Sequence, residues 1–151
     1  MIGLVIVGDG RERQRLEKKV TDLNLASKIT FLGSRTDAWG LMRSAQGYIQ
    51  TSAYEGYGVT LIEAALARLP IITTDVGIVG EVFVGYEDVL ASPPGDATNI
   101  HYNIIALMED VGNKETMIRS AQSKALAHLK EYENIPERIA RDLSSLCDGY
   151  T

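Results

Sequence analysis

An α/β fold with a mostly parallel sheet and helices on both faces is predicted by two features of the sequence. Short apolar runs alternate with helical patterns through the first two thirds of the chain. The first run, "IGLVIVG" at 2–8, is continuously apolar and rich in β-branched residues, as expected for a strand buried on both faces of a parallel sheet.

The elements follow in order. The strand at 2–8 leads through "DG" into a helix at about 11–25, with Leu16, Val20 and Leu23 on one side. "KITFLG" at 28–33 is a second strand, and residues 37–45 form a short helix carrying Trp39, Leu41, Met42 and Ala45. "GYIQTS" at 47–52 is a third strand, followed by a glycine-rich turn and a helix at about 58–68. "PIITTD" at 70–75 and "DVLAS" at 88–92 are the fourth and fifth strands. "PPGD" at 93–96 is a turn whose Asp96 suits the N-cap of a helix at 97–111. Further helices are expected at 114–131 and 136–147, the latter with Pro136 in its first turn.

At 151 residues the chain is read as a single domain, 1–151. Its 45% hydrophobic content suffices for a core, and 23% charged residues is ordinary for a globular protein. A net charge of −5 argues against a nucleic-acid partner. The basic cluster Arg11, Arg13, Arg15, Lys18 and Lys19 is broken by Glu12 and Glu17, and reads as a solvated helix face. One cysteine, Cys147, cannot close an internal disulfide and suits a reducing, cytoplasmic location. No secretory leader and no membrane-length apolar run is visible.

Two glycine-rich turns invite a ligand. "GDGRER" at 8–13 carries only the first two glycines of G-x-G-x-x-G, because Arg13 holds the third place. No acidic residue closes the second strand, so a tight strand-to-helix turn is preferred to a dinucleotide site. "YEGYGVTLIEAA" at 54–65 is more informative. It follows the third strand, at the edge where open parallel sheets gather ligands. A helix starting near Gly58 presents the free N–H groups of Gly58, Val59 and Thr60 to an anion such as a phosphate. Gly56 and Gly58 allow unusual dihedrals and close approach. Glu55 and Glu63 beside an anion site make sense as acceptors for hydroxyl groups, with Glu63 roughly 7–8 Å along the helix. A ligand with a phosphate centre and polyol on both sides, a sugar nucleotide, satisfies all of these. The alternative is that Glu55 caps a turn and Glu63 is merely solvated.

"AYEGYGVTLIEAALARLPIITTDVG" at 53–77 resembles the E-x7-E region of the retaining GT-B glycosyltransferases of GT4 type, the glycosyl transferases group 1. "LVIVGDGRERQRLE" at 4–17, "ITFLGSRTDAWGLMRSA" at 29–45 and "PPGD" resemble that family's flanking segments in order, covering about residues 3–130. The resemblance implies a Rossmann-like domain, half of a GT-B fold, that binds a nucleoside-diphosphate sugar as donor and uses no cofactor and no metal. Residue by residue, it implies that Glu63 binds the ribose and that Glu55 lies at the donor sugar as the catalytic carboxylate. Gly56, Tyr57, Gly58, Val59 and Thr60 would meet the sugar and distal phosphate. The nucleobase would lie against Ser34 to Asp37, with Ser34, Arg35 and Asp37 as contacts, although Asp37 serves equally as the N-cap of the following helix. His101 and His128 read as surface or packing residues.

The sequence departs from the family at Arg68, where glycine is common, at Thr51 in place of proline, in "GIVG" at 77–80, and in "GYEDVLA" at 85–91. The family's N-terminal acceptor domain and first donor-domain strand have no counterpart in these residues, so the domain is expected to be truncated at its N-terminus. Its expected partner is that acceptor domain of the same gene product, with membrane association in the full-length enzyme and a homodimer through exposed surfaces as further options. The implied reaction moves a sugar to an acceptor such as a growing polysaccharide or lipid-linked glycan. A non-catalytic nucleotide-sugar binding module and a sugar-nucleotide epimerase-like domain are the alternatives.

Overall fold

The computed structural model describes residues 3–109 and 114–133; the helix expected at 136–147, with Pro136 and Cys147, lies outside them. The chain divides into two units, Met1–Leu41 and Met42–Thr151, and each is described by itself.

In the first unit, β1 (Leu4–Val7) pairs in parallel with β2 (Ile29–Gly33), joined by α1 (Arg13–Asp22). The register runs from Leu4 opposite Ile29 to Val7 opposite Gly33, with an irregularity after Ile6. The expectation that this first strand is buried on both faces is overturned: Leu4, Val5 and Val7 are 41%, 54% and 42% exposed. A strand with a single hydrogen-bonded neighbour, in a two-stranded sheet beside one helix, has too little around it to cover both faces.

Helix α1 stops at Asp22, three residues short of the expected Leu25. Asn24 takes a left-handed φ of 55°, and the Asn24 and Leu25 N–H groups donate back to Thr21 and Val20. That is a Schellman closure with asparagine in the glycine position. The charged face is solvated as expected, with Arg13 bonded to Asp9 and Glu17, and Lys18 to Asp22. Hydrogen bonds to Glu17 and then Asp9 hold the Arg13 guanidinium above its ordinary pKa. α2 (Ala38–Arg43) begins after the second strand's loop.

In the second unit, β3 (Tyr48–Gln50), β4 (Ile71–Thr74) and β5 (Leu90–Ser92) form a parallel sheet in that order. All four residues of β4, the central strand, are buried. Three helices accompany it: α3 (Val59–Leu66), α4 (Ala97–Met108) and α5 (Lys114–Glu133). The core gathers Leu61, Ile71, Ile78, Phe83 and Val89. Ala64 and Ala65 of α3 and Ala121 and Ala125 of α5 are also fully buried, and such small side chains let the two packed helices approach closely.

Helix α3 also closes on a Schellman pair, with Arg68 donating to Ala65 and Leu69 to Ala64. Arg68 sits at φ 61°, a conformation that glycine adopts without strain. Arg68 also pairs with Glu115 of α5 at 2.8 Å. The "PPGD" turn forms as expected, with Asp96 N–H on the Pro93 carbonyl and Gly95 at φ 82°. Asp96 caps α4 by accepting from the Asn99 N–H at 2.9 Å. Just before β5, Asp88 is fully buried, receiving the Val84 N–H at 2.7 Å and the Lys124 ammonium. Burial pushes the Asp88 carboxyl up, but hydrogen bonds from Lys124, Ser120 and Val84 outweigh it and hold the group below its ordinary value.

Candidate functional site

The residues 51–58 that follow β3 are organised by the strand's last side chain. Gln50 is buried, and its amide is held on both sides. Its nitrogen donates to Glu55 Oε1 at 2.9 Å. Its oxygen accepts the hydroxyls of Thr60 at 2.8 Å and Tyr48 at 3.0 Å. A flipped amide would set oxygen against the carboxylate and nitrogen against two donors, so Glu55 fixes the orientation. Ser52 Oγ adds a second donor to Glu55 Oε1 at 2.6 Å, and the Ser52 carbonyl is tied to Thr74 Oγ1 of β4 at 2.6 Å. One Glu55 carboxylate oxygen is anchored twice, and Oε2 has no partner among the described residues.

Gly58 forms the N-terminus of α3 at φ 100°, ψ 45°, in the left-handed region. The unusual dihedral expected of both glycines belongs to Gly58 alone; Gly56 keeps an ordinary φ and faces open space. No side chain caps α3. The N–H groups of Gly58, Val59 and Thr60 have no acceptor among the described residues, and they carry the positive end of the helix dipole. Glu63 is half-buried, and its side-chain carboxylate forms no hydrogen bond or ion pair among the described residues. Both glutamates act on one group: burial pushes the Tyr48 hydroxyl up, a Thr60 hydrogen bond opposes this, and the charges of Glu55 and Glu63 raise it further.

Three residues that sequence reasoning did not assign to the site hold the turn in place. Gly77, after β4, sits at φ 63°, and a methyl group there would lie 2.6 Å from the Tyr57 carbonyl oxygen and 3.0 Å from Glu55 Cβ. The next residue, Ile78, donates its N–H to that same carbonyl at 2.9 Å. His128 of α5, read from sequence as a surface or packing residue, stacks on Tyr57 with ring centroids 5.7 Å apart and meets its hydroxyl through Nε2. Gln50, a fourth, also had no role assigned from the sequence. A glycine after the fourth strand was the one available signal; nothing local marks Gln50 or His128.

Ser34, Arg35 and Asp37 belong to the first unit and are all exposed. Asp37 precedes α2 and its carbonyl accepts the Leu41 N–H, but its carboxylate is committed to Arg35 by a bidentate pair at 2.7 Å on each arm. That hydrogen bonding from Arg35 holds the Asp37 carboxyl below its ordinary value. No group of three or more metal-ligating side chains occurs among the described residues. Among the same residues no helix is long and apolar enough to cross a membrane.

The chain is 32% identical over 98 residues to a 2-deoxystreptamine N-acetyl-D-glucosaminyltransferase of Niallia circulans, spanning 64% of this chain and 25% of that protein. It is 26% identical over 145 residues to an N-acetyl-alpha-D-glucosaminyl L-malate synthase of Bacillus anthracis, spanning 92% of this chain and 38% of that one. Among solved structures, Anabaena Alr3699/HepE in complex with UDP superimposes with a TM-score of 0.81 at 26% identity, over 95% of this chain and 41% of that chain. The chain thus spans well under half the length of each of these relatives. The glycosyl transferases group 1 family profile matches residues 2–124, which takes in all five strands, the turn at 55–58 and Glu63, and the chain belongs to that family.

Proposed function

We propose that this chain is the donor-binding part of a retaining glycosyltransferase of GT4 type, taking a glycosyl group from a nucleoside-diphosphate sugar. The acceptor would be a growing polysaccharide or lipid-linked glycan. The observation that carries the reading is the arrangement around α3: an uncapped helix start at a left-handed glycine, with a twice-anchored Glu55 before it and an unpaired Glu63 within it. The UDP held by the Anabaena neighbour supports a uridine diphosphate as the leaving group.

In this reading the N–H groups at the start of α3 stabilise the charge that develops on the departing diphosphate. Glu63 accepts the ribose hydroxyls. Glu55 Oε2 faces the donor sugar, where a fixed negative charge favours the cationic character that grows at the anomeric carbon. Tyr57, clamped by Ile78 and His128, keeps the turn from yielding as the bond breaks. Transfer also requires an acceptor to be positioned, which we assign to a separate acceptor-binding domain. The Ser34–Asp37 loop would serve the base, and the cytoplasm would be the compartment.

Saturation-transfer NMR with UDP, UDP-glucose, GDP and ADP, on the wild type and on Glu63→Ala, tests this. The expected result is transfer from one nucleoside diphosphate that is lost in Glu63→Ala. Transfer that survives the substitution removes Glu63 from the ribose, and no transfer from any of the four refutes the donor reading.

A further inference from the structure

A pocket opens in the Met42–Thr151 unit at the carboxyl ends of β4 and β5, along the sheet edge that also carries the turn at 55–58. Its volume is about 500 Å³, within the roughly 300–1,000 Å³ usual for small-molecule sites. Its walls include Asp75, Gly80, Tyr86, Ala91, Ser92 and Asn99. The ends of the two strands are tied by the Asp75 N–H on the Ser92 carbonyl at 2.8 Å.

The polar groups of this pocket divide into spent and unspent. Asn99 Oδ1 is spent, accepting from Ser92 Oγ at 2.8 Å, Asn103 Nδ2 at 3.2 Å and Tyr86 Oη at 3.4 Å. The buried Asn103 also donates to Ser92 Oγ at 2.9 Å. This network fixes the Asn99 amide and leaves both hydrogens of its Nδ2 without an acceptor among the described residues. The exposed Asp75 carboxylate likewise has no hydrogen bond or ion pair among them. Tyr86 holds a left-handed φ of 64°, uncommon for an aromatic residue, and the residue is 61% exposed at the rim.

One pocket therefore offers a free donor pair, a free acceptor pair and an aromatic surface beside apolar walls at Val79 and Ala91. A bare anion is disfavoured by Asp75, because no basic side chain lines the pocket. Adjacent hydroxyls of a sugar ring both donate and accept, and match an amide plus a carboxylate. The C–H face of such a ring matches the phenol and the apolar walls. We infer that this pocket binds a neutral pyranose ring, through its hydroxyls on Asp75 and Asn99 and its C–H face on Tyr86. The ring's source is either a single sugar or a unit of a glycan chain. The inference stands apart from the donor reading, since it uses none of the residues around α3.

The test is saturation-transfer NMR on the full 151-residue chain at tens of millimolar sugar, suited to weak binding. The probes are the methyl α-D-pyranosides of glucose, galactose and mannose, and maltotriose. Asp75→Ala removes an exposed carboxylate with no partner, and Tyr86→Gly relieves a strained backbone, so both variants should keep the wild-type urea midpoint. Transfer from at least one probe, lost in Asp75→Ala, weakened about fivefold or more in Tyr86→Gly and retained in Glu63→Ala, is the expected result. A methyl pyranoside that binds assigns a single ring; binding by maltotriose alone assigns a glycan chain. No transfer from any probe, or transfer that persists in Asp75→Ala, overturns the inference. Nucleoside-diphosphate binding measured on the same samples reports separately on the donor site.

Discussion

Gly77→Ala should damage the turn at 55–58 from a distance of twenty residues. Two costs arise. An alanine at φ 63° occupies the left-handed region, at about 1–2 kcal/mol. Its methyl group would also lie 2.6 Å from the Tyr57 carbonyl oxygen, so the turn must retreat by about 0.8 Å to reach ordinary contact, or the strain stays. Overpacking of this kind adds about 1–3 kcal/mol. Gly80→Ala is the matched control. It too sits at positive φ, 88°, but a methyl group there meets nothing within 4 Å, so only the conformational cost applies. Any gain from a stiffer unfolded chain is common to both variants and cancels. Urea unfolding with linear extrapolation should therefore find Gly77→Ala less stable than Gly80→Ala by about 1–3 kcal/mol. UDP affinity should fall about fivefold or more in Gly77→Ala and hold in Gly80→Ala, because only the first displaces Glu55 and Tyr57. Equal stabilities, with UDP binding intact in both, would refute the claim that Gly77 wedges the turn.

Gln50→Leu removes three hydrogen bonds at once and should cost about 2–3 kcal/mol by urea unfolding while loosening Glu55, which keeps Ser52. Glu63→Ala should leave stability within about 0.5 kcal/mol of wild type, since its carboxylate has no partner to lose, and yet abolish UDP binding by NMR. Lys124→Met strips the buried Asp88 of its cation and should cost about 3 kcal/mol at neutral pH. Asp88 has a lowered pKa in the folded state, so its stabilisation is present above the unfolded value near ~4 and is lost as pH falls through the lower folded one. The gap between wild type and Lys124→Met should therefore narrow as unfolding is measured at progressively more acid pH. Arg68→Gly should raise stability in urea unfolding slightly, by about 0.5 kcal/mol, because relief of the left-handed arginine exceeds the added chain entropy and the loss of an exposed pair with Glu115.

The existence and order of the elements could be read from the sequence, because apolar runs of strand length and helix-period stretches alternate without ambiguity. Helix ends were less legible. Asn24 and Arg68 close α1 and α3 in a conformation usually signalled by glycine, and neither residue type announces it. Burial of β1 was misread because periodicity reports what a strand could bury and not how many neighbours it has. The spacing of Glu55 and Glu63 exposed half of the candidate site. The supporting half was hidden in contacts across the fold: Tyr57 meets His128 71 residues away, and Gln50 meets Thr60 only once β3 and α3 are in place.

The chain of hydrogen bonds through Gln50 has one direction. Tyr48 and Thr60 both send their protons inward to the amide oxygen, and the amide and Ser52 send theirs on to Glu55. With its proton given to Gln50, the Thr60 hydroxyl keeps only lone pairs to offer, at the very helix end whose backbone offers N–H groups. A phosphoryl oxygen of the proposed donor would be welcome at the backbone and unwelcome one side chain away. In the proposed donor reading that alternation would work as a ruler: an oxyanion and a hydroxyl must arrive in a fixed order along the ligand, so a ligand bound in reverse would set lone pairs against lone pairs.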